Sequence, residues 1–326
     1  GDSVPDGGED TNGNGIVDAG ETDPLNPDSD GDTVPDGSDA FPLDQAESLD
    51  TDGDGIGNNT DTDDDNDTIP DTLDQLPGRD PLVADWAVSA GGAHTCVLDD
   101  GGVTCWGNNS YGQTDVPALS SPVAVEAGGL HACALDNTGV VCWGRDFNGQ
   151  STVPPLSNPA AVSAGGDHTC ALDDTGVVCW GSNTYGQITV PLLSNPVAVS
   201  AGKNHTCALD DTGVVCWGYN ATGQTNVPQL SNPVAVSAGY DHTCVLDDTG
   251  VVCWGSNTYG QITVPALSNP AVVGSGVHYS CALDDTGVVC WGRNQYGQVS
   301  VPALSNPVAM DVGQDNTCVL DDTGVV

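Results

Sequence analysis

The sequence predicts an all-β chain: a seven-bladed β-propeller with a truncated last blade, behind a mostly irregular, acid-rich N-terminal stalk. Three observations predict it. Cys96, Cys133, Cys170, Cys207, Cys244, Cys281 and Cys318 stand 37 residues apart, and a fixed period of that length marks a repeat architecture. Each period holds short apolar, partly β-branched runs separated by turn residues, with no helical periodicity. The first eighty residues carry 25 of the 46 acidic residues and a single aromatic, Phe41, so they have too little apolar surface to order themselves by burial.

The stalk comes first. Asp10, Asn12, Asn14, Ile16, Asp18 and Glu21 fall at the ligand positions of an EF-hand-type loop, with Gly15 at its sharp turn. The spacing returns in Asp28, Asp30, Asp32, Val34, Asp36 and Asp39. It returns again in Asp50, Asp52, Asp54, Ile56, Asn58 and Asp61, and in Asp63, Asp65, Asp67, Ile69, Asp71 and Asp74. Hard oxygen donors in this register call for calcium, the aliphatic residue lending its backbone carbonyl. Thr33 and Thr68 stand where the other loops have Gly15 and Gly55, so those two loops are expected to turn less tightly or bind more weakly. Without cations the carboxylates repel one another and the segment expands. No helical pattern flanks the loops, which argues against a helix-pair calcium switch.

The runs DSDGDTVPDGSDAFPLD (28–44) and DTDGDGIGNNTDTDDDNDTIPD (50–71) resemble thrombospondin type 3 repeats in their bacterial form. The resemblance covers nearly all of residues 1–80 and implies a calcium-wrapped stalk with little regular secondary structure. Residues 81–85 form a linker after the Pro77-Gly78 break, and Trp86 opens a propeller domain over residues 86–326.

One repeat reads NPAAVSAGGDHTCALDDTGVVCWGSNTYGQITVPLLS, Asn158 to Ser194. Its apolar runs predict four short strands, AAVSA, HTCAL, VVCWG and QITVP, separated by Gly-, Asn- and Asp-rich turns. The turn Asp173-Asp174-Thr175-Gly176 makes HTCAL and VVCWG a hairpin in which Cys170 faces Cys179. Opposed cysteines on neighbouring strands, with Cα atoms about 4.5 Å apart, are within disulfide reach. Six pairs share the spacing: Cys96/Cys105, Cys133/Cys142, Cys170/Cys179, Cys207/Cys216, Cys244/Cys253 and Cys281/Cys290. Cys318 is the odd thiol, and its partner would fall just past Val326. Six disulfides imply an oxidising, extracellular setting. Zinc is not expected, since no Cys-x-x-Cys occurs. Both ends lie inside motifs, as they would in an excerpt of a longer protein. The rest of the seventh blade is expected from residues beyond Val326 or from a neighbouring chain.

The repeats resemble the regulator of chromosome condensation family of β-propellers. The matching residues are the Gly-x-x-His-(Thr/Ala)-Cys entry (His94, His131, His168, His205, His242), the Cys-Trp-Gly exit and the Gly-Gln pair of each repeat. The short period and the Gly-Gln-x-x-Val-Pro ending look most like bacterial members that include a secreted β-lactamase inhibitor. The resemblance implies the fold; the family's functions run from nucleotide exchange to chromatin binding to inhibition.

The repeated histidines are expected to be structural, each bonding a backbone carbonyl, rather than a ring of ion ligands; the tryptophans are expected to pack. The strands hardly vary. Variation gathers in the turn before each His and the turn after each Trp-Gly, and Arg145, Tyr219, Tyr240 and Arg293 are the interface-prone residues there. With four basic residues and a net charge of −42, binding to nucleic acid or to anionic membrane surfaces is not expected. No apolar run is long enough to span a membrane. Asn58, Asn66, Asn108, Asn204 and Asn220 lie in glycosylation triplets, so a glycan is a candidate partner. No catalytic motif stands out. These features predict a non-enzymatic, extracellular adhesive or structural surface protein, with a protein partner or self-assembly into a fibre. A secreted inhibitor or recognition module is the alternative.

Overall fold

The computed structural model describes residues 22–23, 26–50, 57–60, 87–99, 101–321 and 324–326. The chain divides into two compact units, Gly1–Asp85 and Trp86–Val326. In the first, the described residues are turns and one short 3₁₀ helix, Asp36–Ser38. The calcium loops at 10–21 and 63–74 lie outside the described residues, as do Asp52, Asp54, Ile56 and Asp61 of the loop at 50–61.

The second unit is a seven-bladed propeller of three-stranded antiparallel sheets. Blades 1 to 7 begin at inner strands Ala87–Ala90, Ala124–Ala127, Ala161–Ala164, Ala198–Ala201, Ala235–Ala238, Val272–Ser275 and Ala309–Val312. In blade 3 the middle strand is His168–Asp173 and the outer strand Gly176–Gly181. The register is the expected one, with Cys170 opposite Cys179 and Leu172 opposite Val177. The Asp174-Thr175 loop leads into Gly176 at φ 113°, a backbone angle that suits glycine. Asp173 fixes the turn: Oδ1 accepts the Thr175 amide and hydroxyl, both at 2.7 Å, and Oδ2 accepts the Ser157 amide.

All six expected disulfides are formed: Cys96–Cys105, Cys133–Cys142, Cys170–Cys179, Cys207–Cys216, Cys244–Cys253 and Cys281–Cys290. Their Cα–Cα distances are 4.0–4.1 Å, closer than the expected spacing of about 4.5 Å for an opposed pair. The two partners are not equally covered. The middle-strand cysteines are fully buried. Cys105, Cys142, Cys179, Cys216, Cys253 and Cys290 are only half-buried, because each stands on the outer strand, the edge of its three-stranded sheet. Cys318 is a buried free thiol. Between blades, Trp143, Trp180, Trp217, Trp254 and Trp291 are 7–8 % exposed.

The expected fourth strand does not form. In blade 3 the QITVP segment (187–191) is irregular, because the next blade's side chains take its hydrogen-bonding groups. The Gln187 carbonyl accepts Thr206 Oγ1 and Trp217 Nε1, each at 2.9 Å. The Gln187 side chain folds back to the Tyr185 amide, and Pro191 has no N–H to offer a ladder.

The histidines are structural, but their partner is a side chain rather than the expected carbonyl. His131, His168, His205 and His242 place Nε2 at 2.8–2.9 Å from the hydroxyl of Thr169, Thr206, Thr243 and Ser280 in the following blade. Each hydroxyl donates its own proton to a Gln carbonyl. Nε2 must therefore be the donor, which fixes the tautomer and leaves Nδ1 a bare, buried acceptor. Ala132 stands where the acceptor hydroxyl would be for His94, and neither His94 nitrogen makes a side-chain hydrogen bond among the described residues. Burial holds the imidazoles neutral, lowering their pKa to about 4 for His94 and His168 and about 3 for His131, His205 and His242.

Two rings of hydrogen bonds close the propeller around its axis. In the first, the backbone runs Gly92 N to Gly128 O, Gly129 N to Gly165 O and onward, until Gln314 N of blade 7 reaches Gly91 O of blade 1 at 3.2 Å. The second uses the third residue of each inner strand. Ser89, Ser163, Ser200 and Ser237 accept an amide from the next blade at 2.9–3.0 Å. Glu126 accepts the Ala164 amide, and Asp311 closes the ring on the Ala90 amide at 2.7 Å. Gly274 has no side chain to contribute.

Candidate partner-binding face and calcium loop

Both variable turns lie on the same face. The amide of each post-Trp turn bonds a carbonyl of the pre-His turn in its own blade, as in Arg145 N to Leu130 O, Tyr219 N to Asn204 O and Arg293 N to His278 O, all 2.9 Å. Arg145, Tyr219, Tyr240 and Arg293 therefore share one surface. Arg145 lies 5.8 Å from the Tyr111 ring centroid and 5.2 Å from that of Phe147, and its Nη1 donates to Asp167 at 2.8 Å. Tyr219 meets the Tyr185 ring edge-on at 4.8 Å. Tyr240 carries the Lys203 ammonium over its face at 3.4 Å and tilts against His278. Arg293 lies over Tyr259 and Tyr296 and pairs with Asp315 at 3.9 Å. Each cation thus stacks on aromatic carbon and also faces an acid from the following blade; for Lys203 that acid is Asp241. Stacking of this kind contributes about 0.5–1 kcal/mol per pair at exposed sites, and here it holds long side chains in one place.

Sequence reasoning placed Lys203 and His278 in the variable turns without singling them out, and missed Phe147 and the tyrosines Tyr111, Tyr185, Tyr259 and Tyr296. The four tyrosines share one repeat position, filled by Asn148 and Thr222 in blades 2 and 4, and they read as turn residues. Their exposure gives them away: Phe147 is 75 % exposed and Tyr296 66 %.

The axial channel, about 130 Å³, is lined by the ring of serines and by Glu126 and Asp311. None of the buried histidines reaches it. Glu126 and Asp311 correct the expectation that the strands hardly vary, since both stand at the serine position of the inner strand. Burial, then Asp311, raises the Glu126 pKa to about 8. Burial likewise raises that of Asp311.

In the first unit, the loop at 28–39 is described in full. Asp28, Asp30 and Asp32 bring carboxylate oxygens within 4.8 Å of one another. Asp28 Oδ1 and Oδ2 take the Gly31 and Thr33 amides, and Asp32 takes that of Val34. Asp30 Oδ2 and Asp39 Oδ2 are buried with no protein partner among the described residues. Burial, then repulsion from Asp32, Asp30 and Asp36, raises the Asp39 pKa. Asp36 is placed differently: both its oxygens hold Ser29, through the amide and the hydroxyl at 2.7 Å. Thr33 sits at φ 89°, so it makes the tight turn expected only of glycine, despite its β-branch. Of the loop at 50–61, Asp50 and Asn58 are described, and both are engaged in further interactions.

The repeat signature described as "Regulator of chromosome condensation (RCC1) repeat" matches residues 87–113, 123–150, 160–187, 197–224 and 234–261. Blades 1 to 5 are RCC1 repeats. No curated protein matches the chain. Among solved structures, the RCC1 propeller resembles Prp20p of Saccharomyces cerevisiae at 17% identity and a TM-score of 0.63, covering 72% of this chain and 81% of that one. That structure was described with its binding to Gsp1p and histones; at this identity the likeness shows the fold alone. The ectodomain of the Physcomitrella patens receptor kinase CR4 matches at 25% identity and a TM-score of 0.61, covering 73% of this chain and 70% of that one. The CRINKLY ectodomain of the Arabidopsis thaliana receptor kinase ACR4 matches at 27% and 0.61, covering 74% and 96%.

Proposed function

We propose that this chain is an extracellular, non-enzymatic surface protein, whose calcium-held N-terminal segment carries a disulfide-pinned RCC1 propeller that grips a protein partner. The observation that carries the reading is the convergence of all three propeller cations with the exposed aromatics on one face. Aromatic and Arg side chains held in place supply contact area at low entropic cost, which suits an interface. Six disulfides support an oxidising compartment, as does the likeness to two receptor-kinase ectodomains. Adhesion and assembly into a fibre belong to the same reading.

The face is tested with beads coated with the chain and surface-biotinylated proteins from the cells that make it. Replacing Arg145, Tyr219, Tyr240 and Arg293 together by Ala is expected to cut biotinylated capture at least tenfold without changing the circular dichroism. Equal capture by the variant would remove the face from the reading.

Calcium fits the stalk loop on its own chemistry: three converging carboxylates and two buried, unpartnered carboxylate oxygens. Asp28, Asp30, Asp32 and Asp39 would hold the ion, with the Val34 carbonyl, and bound calcium would neutralise their mutual repulsion. Removing calcium with EGTA is expected to speed proteolysis within residues 1–80 at least tenfold and leave the propeller intact. An unchanged digestion pattern would count against calcium as what orders the stalk.

A further inference from the structure

Glu47 is 4 % exposed, whereas Leu49, two residues on, is 61 % exposed. Hydrophobic burial would order them the other way round, and an acid is rarely this covered without a partner. Glu47 Oε2 accepts the Asn59 amide at 3.0 Å. Oε1 of the same carboxylate is buried with no hydrogen-bond partner. Among the described residues, the first unit holds no Lys, Arg or His. Taking a carboxylate out of water is costly unless a cation or a full set of donors meets it. The fold therefore leaves a place for positive charge beside Oε1.

That place adjoins the loop at 50–61. The chain at 46–49 runs alongside 57–59: the Asn58 amide donates to the Leu49 carbonyl at 3.0 Å, and Asn59 Nδ2 donates to the Ala46 carbonyl. Gly57, the eighth loop residue, lies directly against the carboxylate, where a Cβ would overlap Oε2, Cδ and Cγ of Glu47. Glu47 thus flanks Asn58, the ninth. The sequence shows what is lacking there. The ninth residue is Asp18, Asp36 and Asp71 in the other three loops and the neutral Asn58 in this one. Calcium affinity follows the charge carried by the ligands, and Glu47 restores the missing carboxylate from three residues ahead of Asp50.

We propose that Glu47 is a calcium ligand of the loop at 50–61, contributed from outside its twelve residues, with Oε1 joining Asp50 and Asn58 on the ion. The inference rests on the calcium reading of the stalk and adds a coupling between consecutive loops. The segment that carries Glu47 is also tied back to the loop at 28–39. The Ala40 amide, next to Asp39, donates to the Ser48 carbonyl at 3.2 Å, and Gln45 Nε2 donates to the Gly31 carbonyl at 3.4 Å. An ion held by Glu47 therefore fixes the chain between the two loops, residues 40–49, as well as the loop it occupies.

The test uses the whole chain in calcium–EGTA buffers of stepped free calcium, digested with chymotrypsin and read by mass spectrometry at Leu43 and Leu49, which flank Glu47. Glu47→Gln keeps the volume and an oxygen for the Asn59 amide, and removes only the charge. The free calcium that gives half protection at these two bonds is expected to rise about tenfold in the variant. In EGTA alone the variant should be cut more slowly than the unsubstituted chain, because a buried charge with no counter-ion has gone. A Glu47 that merely props up the fold would give faster cleavage of the variant in both conditions. Equal half-protection concentrations, or faster cleavage of the variant in EGTA, would overturn the proposal. An unsubstituted chain that calcium does not protect at all would overturn the calcium reading itself, and the proposal with it.

Discussion

Lowering the pH from 7 to 4 is expected to unfold the propeller. His94, His131, His168, His205 and His242 are buried and neutral, with pKa values of about 3 to 4, against about 6.5 in an unfolded chain. Their folded pKa lies below the unfolded one, so between these values the unfolded state binds more protons. Their contribution is fully present above pH 6.5 and is lost as the pH falls toward 4. At about 1.4 kcal/mol per pKa unit, each histidine contributes roughly 3 kcal/mol across that window. Five together reach the size of a whole domain's stability, about 5–15 kcal/mol. The turn carboxylates add to the same trend: hydrogen bonds from the Thr286 side chain and the Ser268 amide hold Asp284 below the usual range. Glu126 works in the other direction. Its folded pKa of about 8 lies above the unfolded value, so its contribution is present at low pH and is lost as the pH rises through 8. Stability should therefore peak near pH 6.5, where the histidine contribution is complete, and decline from there to about pH 8. Far-UV circular dichroism between pH 3 and 9 reads the acid limb, and a propeller still folded with an unshifted midpoint at pH 3.5 would refute the buried-imidazole account. On the alkaline limb, Glu126→Gln should flatten the decline above pH 7.

The sequence displayed the blades because near-identical repeats let one hairpin be solved for all. The Asp-Asp-Thr-Gly turn sets its register, and the register brings the cysteines together. The fourth strand was misread because QITVP has the composition of a strand, while its bonds are fixed by Thr and Trp of the following blade, a relation that no local pattern carries. The histidine partner was hidden for the same reason: the hydroxyl lies 38 residues further on, in the next blade. Of the proposed partner-binding face, variable residues such as Arg145 and Tyr240 stood out against the repeat background. The tyrosines did not, because a Tyr recurring at one turn position in four repeats looks the same whether its ring is buried or exposed. Glu126 and Asp311 were visible as substitutions in a serine column, and their meaning came only when the column became the wall of a channel.

Reducing the six disulfides is expected to lower the propeller's thermal midpoint by at least 20 °C. Each closes a hairpin with partners nine residues apart, and in the chain-entropy model such a loop contributes about 2–3 kcal/mol by restricting the unfolded chain. For a domain of this size, 1 kcal/mol corresponds to roughly 2–4 °C, so the single-blade variant Cys170→Ala/Cys179→Ala should lose about 4–12 °C. Blades contact mainly their neighbours, and repeat arrays of this kind sum local terms, so reduction should act on each blade in turn rather than at one weak point. In each pair one sulfur is fully buried, as Cys170 is, so reduction should be slow at room temperature and quick only near the transition. Calorimetry with and without a phosphine reductant decides the matter. A midpoint unmoved by complete reduction, verified by thiol titration, would show that interblade packing holds the propeller by itself, and the argument from disulfides to an oxidising compartment would lose its footing.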